Sequence, residues 1–419
     1  MSIIHQTTNN RKIKNIKRCR LCGKGGLKKV IDFGLMSLPT WPHSKEEGVK
    51  ASLKLMVCPS CFLGQLAQSI DRESLFREYW YRTGINETMR SHMAALAGAI
   101  SREVHLGRSD LVIDVGANDG TLLYNYKRGR LMGFEPSNLC PKETKSAVVW
   151  VNDFFDPTLL PKKDRGSVLA LTTIAMFYYL DDPVAFAKSI KSVLAPTGIW
   201  VCEMTYALDI KERLSFDFIN HEHVTLWSAG QFNKVVKKTG LEIFRIERND
   251  LNGGSIRFWV GKPGHRSVEK SVANIMALEE GRFTFPKWSK FARKVRSTSA
   301  NLNKIITKLH KNNKTIMAYG ASTRGLTILG ASLLDSKLID AAVERNPEKV
   351  GRFYGATEIP VISEEKMRSD RPQVLLILPY SFINEFVKRE KAYLDQGGVF
   401  VVPLPKPKII TKSDKEGLI

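Results

Sequence analysis

Nowhere in these 419 residues does an apolar run reach the roughly 18–20 residues that a membrane-spanning helix needs. The first twenty residues, MSIIHQTTNNRKIKNIKRCR, lack the apolar core of a secretory signal. The expected location is therefore the reducing cytoplasm, with no membrane contact. Cysteine is scarce, at six residues, and the reducing compartment disfavours disulfides, so paired C-x-x-C reads as metal first. Acids are missing from two long stretches. Residues 1–30 carry nine Lys/Arg and residues 286–314 carry nine more, and neither stretch has an Asp or Glu. They hold most of the net charge of +22. Such a field attracts polyanions without specifying one, so nucleic acid, a nucleotide diphosphate and plain solubility all stay open.

What is there is the composition of a globular protein, 43% hydrophobic and 25% charged. The length is too great for one ordinary core and points to two or three domains. Residues 1–17 read as a disordered basic arm. Residues 18–75 hold two C-x-x-C pairs between short β-like runs. A helix follows in ETMRSHMAALAGAISREV, with Met89, Met93, Leu96 and Ile100 on one face. From about 109 the pattern alternates strand and helix: DLVIDVGAND, RLMGFEPS, SVLALTTIAMF and GIWVCEMTY are strands of a doubly wound, mainly parallel sheet. LEIFRIERND and SIRFWVGK are strand-like and close the domain 76–285. Residues 286–310 form a basic amphipathic helix, with Trp288, Phe291, Val295, Leu302, Ile305 and Leu309 inward. A second α/β alternation fills 286–405, and 406–419 read as a polar, frayed tail. The fold class is α/β: a small N-terminal cysteine module and two Rossmann-like domains.

Cys19, Cys22, Cys58 and Cys61 form the two pairs, 35 residues apart, each followed by turn-forming glycine. Zinc takes four soft ligands in a tetrahedron, and each C-x-x-C supplies two from one turn. Four thiolates leave no open coordination position, so a zinc held here is structural.

VIDVGANDGTLL runs from an apolar strand into a glycine turn. It lacks the full G-x-G-x-x-G and any basic residue, which disfavours a pyrophosphate. Asp114, Gly116, Asn118 and Gly120 lie at the strand's C-terminal lip, where such sheets bind ligands. Glu135, in GFEPS, stands 19 residues after Gly116, the place of an acid that binds ribose hydroxyls. A cationic, phosphate-free nucleoside, S-adenosylmethionine (SAM), fits these acids. Asp153 and Phe154 in NDFFD then face its adenine, with one of Phe154 and Phe155 expected in the core.

The strand-four lip, TTIAMFYYLDDP, lacks the D/N-P-P-Y/F motif of exocyclic-amine methylation, and Cys140 lacks the preceding proline of a pyrimidine nucleophile. Both absences lower the nucleic-acid reading. Carbon methylation beside a ketone needs a base for the α-proton, and histidine suits that task. FINHEHVTLWS offers His221, Glu222 and His223. In an extended segment the two histidines share one face and Glu222 takes the other. Acid–base, metal-ligating and purely structural roles are all open for them.

The series C-x-x-C…C-x-x-C, YWYRTGINETMRSHM, DVGANDGTLL, GFEPS, FDFINHEHVTLWS, LNGGSIRFWVG, YGASTRGLTIL and VERNPEKVGRFYG resembles the SAM-dependent sugar C-methyltransferases that act on carbon 3 of TDP-4-keto-deoxy sugars. The resemblance spans about residues 18–405. It implies a zinc-binding domain, a central class I SAM-methyltransferase domain and a C-terminal Rossmann-like domain. It implies that His223 is the general base, with Glu222 its partner, and that Tyr79 and Tyr81 line the sugar pocket. It brings Asn252, Gly253, Ser322, Arg324 and Arg345 forward as contacts for a nucleotide-sugar substrate. Two departures stand out. Asn220 occupies a position where the family has tyrosine, and AMFYYLDDP lacks the family's histidine, so Asn220 is a candidate for a different acceptor. Rival readings are an RNA-directed or other small-molecule SAM methyltransferase using the basic surface, and an inactive scaffold.

Overall fold

The computed structural model describes residues 13–142 and 148–417. The N-terminal module comprises strands β1 (Ile13–Asn15), β2 (Lys28–Ser37), β3 (Lys50–Val57), β4 (Gly64–Leu66) and β5 (Gln68–Ile70), then the short helix α1 (Arg72–Phe76). β3 alternates buried and half-exposed residues along its length, the period-2 signature of a strand with one face on the core. Part of the expected basic arm is ordered: β1 pairs antiparallel with β5. Residues 1–12 of that arm lie outside the described residues.

The central domain starts with α2 (Glu87–Glu103), capped by the Asn86 side chain on the Met89 N–H. Met89, Met93, Leu96 and Ile100 are buried, as the spacing requires. Then come β6 (Leu111–Val115), β7 (Arg130–Phe134), β8 (Val148–Val151), β9 (Val168–Ile174), α3 (Pro183–Val193), β10 (Leu194–Thr205), α4 (Ala207–Glu212), β11 (Thr225–Leu226), α5 (Ala229–Lys238), β12 (Glu242–Asn249), β13 (Ser255–Gly261) and α6 (Lys270–Glu279). The seven-stranded sheet runs β12-β13-β10-β9-β6-β7-β8. β6, β7, β8, β9 and β10 are parallel, and β13 enters antiparallel between β10 and β12. The strand order reverses between β6 and β9, and ligands of open α/β sheets bind at that switch point.

The chain continues with α7 (Phe285–Lys311), β14 (Ile316–Tyr319), α8 (Thr323–Ala331), β15 (Ala341–Glu344), β16 (Val361–Ser363), α9 (Glu364–Asp370), β17 (Val374–Ile377), α10 (Ile383–Arg389), α11 (Lys391–Asp395), β18 (Val399–Val402) and β19 (Lys408–Ile410). Its sheet order is β16-β15-β14-β17-β18-β19, parallel except for β19. The stretch expected to fray after residue 405 supplies β19, because Phe400, Val401 and Val402 offer it a ladder. On α7, Trp288, Phe291, Val295 and Leu302 are buried as expected; Ile306 is fully buried, and Ile305 and Leu309 are only partly so. Among the described residues no helix is long and apolar enough to cross a membrane.

One joint between modules matters for function. β11 leaves the central domain and joins the N-terminal sheet, pairing Thr225 with Gln65 and Leu226 with Gly64. The chain just after residues 220–223 is therefore held by the N-terminal sheet.

Candidate active site and zinc centre

The four cysteines meet as the spacing implies. Their Sγ atoms all lie within 4.8 Å of one another, with Cys19–Cys61 and Cys22–Cys58 both at 3.5 Å. Tetrahedral zinc with Zn–S near 2.3 Å sets sulfurs about 3.8 Å apart, so the donor set fits zinc. Each pair closes a tight knuckle: Gly23 N–H donates to the Cys19 carbonyl and Phe62 N–H to that of Cys58. Arg20, between Cys19 and Cys22, donates to the Leu66 carbonyl, to Ser69 and to Asp181 in the loop after β9. The zinc centre thereby ties the N-terminal module to the methyltransferase sheet.

At the switch point, Asp114 ends β6 and Glu135 follows β7, both buried. Burial pushes the Asp114 carboxyl up to about 7, against a hydrogen bond from Thr172 at 2.6 Å. Glu135 accepts the N–H groups of Asn118 at 2.7 Å and Ser137 at 2.9 Å, and each oxygen keeps a further lone pair. Gly116 (φ 72°) and Gly120 (φ 81°) keep the turn free of side chains; a Cβ on Gly120 would lie 2.7 Å from the Tyr124 ring. Two acids around a bare backbone turn, with no cation among them, fit a sulfonium nucleoside carrying ribose hydroxyls.

A strap of residues 77–84 crosses this lip. Asn118 binds it twice, donating to the Tyr81 carbonyl and accepting from Thr83 N–H, and Asp119 accepts Gly84 N–H at 2.8 Å. Arg77 bonds Asp153 at 2.8 Å and the Pro136 carbonyl. Phe154 lies under the guanidinium groups of Arg72 and Arg77, at 4.2 and 5.0 Å, while Phe155 packs in the core on Phe134 and Phe186. Asp153 and Phe154 are thus occupied by the strap. Tyr81 is half exposed, its carbonyl bonded to Asn118 and its hydroxyl in the field of Asp119.

His221, Glu222 and His223 do not lie on an extended segment. They form a turn, because the Asn220 side-chain oxygen accepts the N–H groups of both Glu222 and His223, at 3.0 and 3.3 Å. The three side chains therefore diverge rather than alternate. His221 turns to the N-terminal module, its Nε2 3.2 Å from the Ala51 carbonyl on β3, and burial lowers it to about 4. His223 Nδ1 donates to the Phe218 carbonyl at 2.7 Å. A carbonyl only accepts, so the proton sits on Nδ1 and Nε2 carries the lone pair. The ring stacks between Tyr179 and Phe218, at 5.6 and 5.5 Å, with the Tyr178 ring edge-on at 4.5 Å. Burial, aided by the charge of Arg324, lowers His223 to about 3. Glu222 goes the other way: burial raises it to about 8, opposed only by the charge of Lys349.

Three residues at this turn were not evident from sequence. Tyr178 and Tyr179 come from the loop that lacks the family's histidine, and the Tyr179 hydroxyl pairs with that of Tyr79 at 2.9 Å. Lys349 is a buried cation, 4.0 Å over the Trp41 ring and bonded to Glu344 and the Ala321 carbonyl. The doublet YY in a strand-four lip was the available signal for the tyrosines; Lys349 left none. Of the expected substrate contacts, Asn220 is spent on the turn. Ser322 caps α8 on Gly325 N–H, and Asn252 (φ 56°), beside Gly253 (φ 88°), accepts from Arg324. Arg324 is committed to Asp217 at 2.6 Å. Arg345 remains largely exposed, 3.9 Å from Glu364.

This arrangement defines a class. Family models match three successive segments: a zinc-binding domain over residues 19–76, a methyltransferase domain over 85–246 and a C-methyltransferase C-terminal domain over 250–405. The chain is a SAM-dependent C-methyltransferase with a structural zinc site. More particularly, it is 26% identical over 411 residues to the C-methyltransferase NovU of Streptomyces niveus, an alignment covering 95% of this chain and 98% of that one. Solved structures similar to it include the 1,6-didemethyltoxoflavin-N1-methyltransferase of Burkholderia thailandensis with S-adenosylhomocysteine (12% identity, TM-score 0.33, 42% of this chain, 80% of that chain). Magnesium protoporphyrin IX methyltransferase of Synechocystis PCC 6803 also matches (12% identity, TM-score 0.33, 42% of this chain, 87% of that chain).

Proposed function

We propose that this chain methylates a carbon beside the ketone of a nucleotide-linked keto-deoxy sugar, in the cytoplasm, with His223 as the base. The observation that carries the reading is the fixed His223 tautomer: Nδ1–H is tied to a carbonyl and the lone pair of Nε2 is presented in an aromatic box. SAM, held by Asp114, Gly116, Asn118, Gly120 and Glu135, supplies an electrophilic methyl group when bound. Nε2 takes the α-proton, and the C–H electron pair passes into an enolate. The Tyr79–Tyr179 hydroxyl pair, buried among rings, donates to the developing oxyanion; a dry, preorganised donor is worth far more there than in water. Glu222, whose carboxyl burial raises to about 8, is the acid partner of the site. The exposed guanidinium of Arg345 is the one expected arginine left for the substrate's diphosphate. Asn220, buried under the turn, shapes it through its side-chain oxygen and sets its amide nitrogen 3.2 Å from Nδ1 of His223.

The test is solvent exchange. Nucleotide 4-keto sugars are incubated with enzyme in D2O without SAM, and α-deuterium is read by mass. Wild type exchanges and His223→Ala does not. Equal exchange by both sinks the base assignment.

A further inference from the structure

We propose that Arg324 is a positioning residue: from the C-terminal domain it sets the tautomer of His223, through Asp217 and the carbonyl of Phe218. The proposal rests on the reading of His223 as the base.

Which imidazole nitrogen is basic depends on what the other one bonds. Here the nearer partner of Nδ1 is the Phe218 carbonyl at 2.7 Å, at the end of a single 3-10 turn, Phe216–Phe218, with the Asn220 amide nitrogen farther off at 3.2 Å. No sheet ladder fixes it. What fixes it comes from α8. Arg324 places Nε and Nη2 on one oxygen of Asp217, at 2.6 and 2.5 Å, and Tyr380 donates to the other at 2.9 Å. The same guanidinium lies 3.9 Å from the centre of the Phe218 ring, whose opposite neighbour is His223. One turn further along α8, the Thr327 hydroxyl donates to the Ile219 carbonyl at 3.1 Å. The residues before and after Phe218 and its own ring are all held from the C-terminal domain.

Asp217 is fully buried, so the pair is dry and its geometry is demanding. The planar fork of arginine matches that geometry, and a lysine does not. The remaining donors are also engaged, Nη1 with the Asn252 carbonyl at 3.3 Å and Nη2 with the Tyr380 hydroxyl at 3.2 Å. Arg324 therefore has little left to offer a phosphate.

The test uses the full-length, zinc-loaded enzyme with 15N-labelled imidazole and needs no substrate. Wild-type His223 shows Nδ1–H and an unprotonated Nε2. Arg324→Lys shows Nε2–H in a substantial fraction, and its kcat falls about 100-fold with acceptor KM little changed, as for a displaced catalytic group. Asp217→Asn gives the same pair of changes. An unchanged Nδ1–H tautomer in Arg324→Lys, or in Asp217→Asn where Arg324→Lys does not fold, overturns the proposal whatever the loss of rate. Failure of the base assignment looks different: His223→Ala then keeps full α-proton exchange.

Discussion

Replacing Glu222 by glutamine stabilises the protein at neutral pH and costs it activity. The carboxyl is buried, and burial raises it from 4.5 to about 8, with Lys349 as the opposing charge. Below about pH 4.5 both folded and unfolded chains carry the proton, and the residue has no effect on the balance. Between about 4.5 and 8 the folded chain holds a proton that the unfolded chain has released, so stability falls as pH rises through that window. Each unit is worth about 1.4 kcal/mol, so at pH 7 Glu222 costs the fold roughly 3 kcal/mol. At about 2–4 °C per kcal/mol for a domain of this size, Glu222→Gln melts roughly 6–12 °C higher than wild type at pH 7. The two proteins converge near pH 4. The assay is a set of thermal melts from pH 4 to 9, read as the difference between wild type and variant so that other titrating groups cancel. Parallel curves across that range refute the reasoning, because they mean that the carboxyl is ionised in the folded enzyme at no cost.

Further outcomes follow from the same geometry. Tyr179→Phe removes the hydroxyl paired with Tyr79 and lowers kcat by about 10–100-fold with little change in acceptor KM, as expected for one donor of an oxyanion pair; steady-state kinetics read it. Arg77→Ala frees the strap from Asp153 and the Pro136 carbonyl, and S-adenosylhomocysteine then dissociates about 10-fold faster in stopped-flow fluorescence. The purified protein holds one zinc per chain by metal analysis; Cys58→Ser loses it and melts lower, because the Trp288 indole donates to the Phe62 carbonyl of the same knuckle.

Much of this was legible in the chain, and the reason is local. Strands such as VIDV and LALTTI carry their own periodicity, so six of the seven central strands and the Gly116 turn could be read without tertiary information. Paired C-x-x-C is similarly self-contained. The site was read less well wherever a side chain overrides the backbone pattern. Alternation of His221, Glu222 and His223 presumes an extended chain, but the Asn220 amide captures two successive N–H groups and makes a turn. The strap of residues 77–84 has no period of its own; its path is dictated by the side chains of Asn118 and Asp119 at the cofactor lip. Lys349 offered no signal because a buried lysine depends on partners far away in sequence, here Glu344, Trp41 and the field of Glu222.

All three modules hold the turn at residues 220–223. His221 bonds Ala51 of the N-terminal sheet, and β11 just beyond it pairs with β4 of that sheet. Asp217 and Ile219, just before it, are held by α8. The rings of Tyr178 and Tyr179 press on it from the central domain. A turn of four residues cannot keep two neutral histidines and a raised carboxyl buried by itself, since each desolvated group opposes folding. His221 and His223 weaken the fold as pH falls below about 6.5, where the unfolded chain binds protons that the folded one refuses; Glu222 weakens it as pH rises above about 4.5. The two penalties overlap between about pH 4.5 and 6.5. Contacts from all three modules offset them.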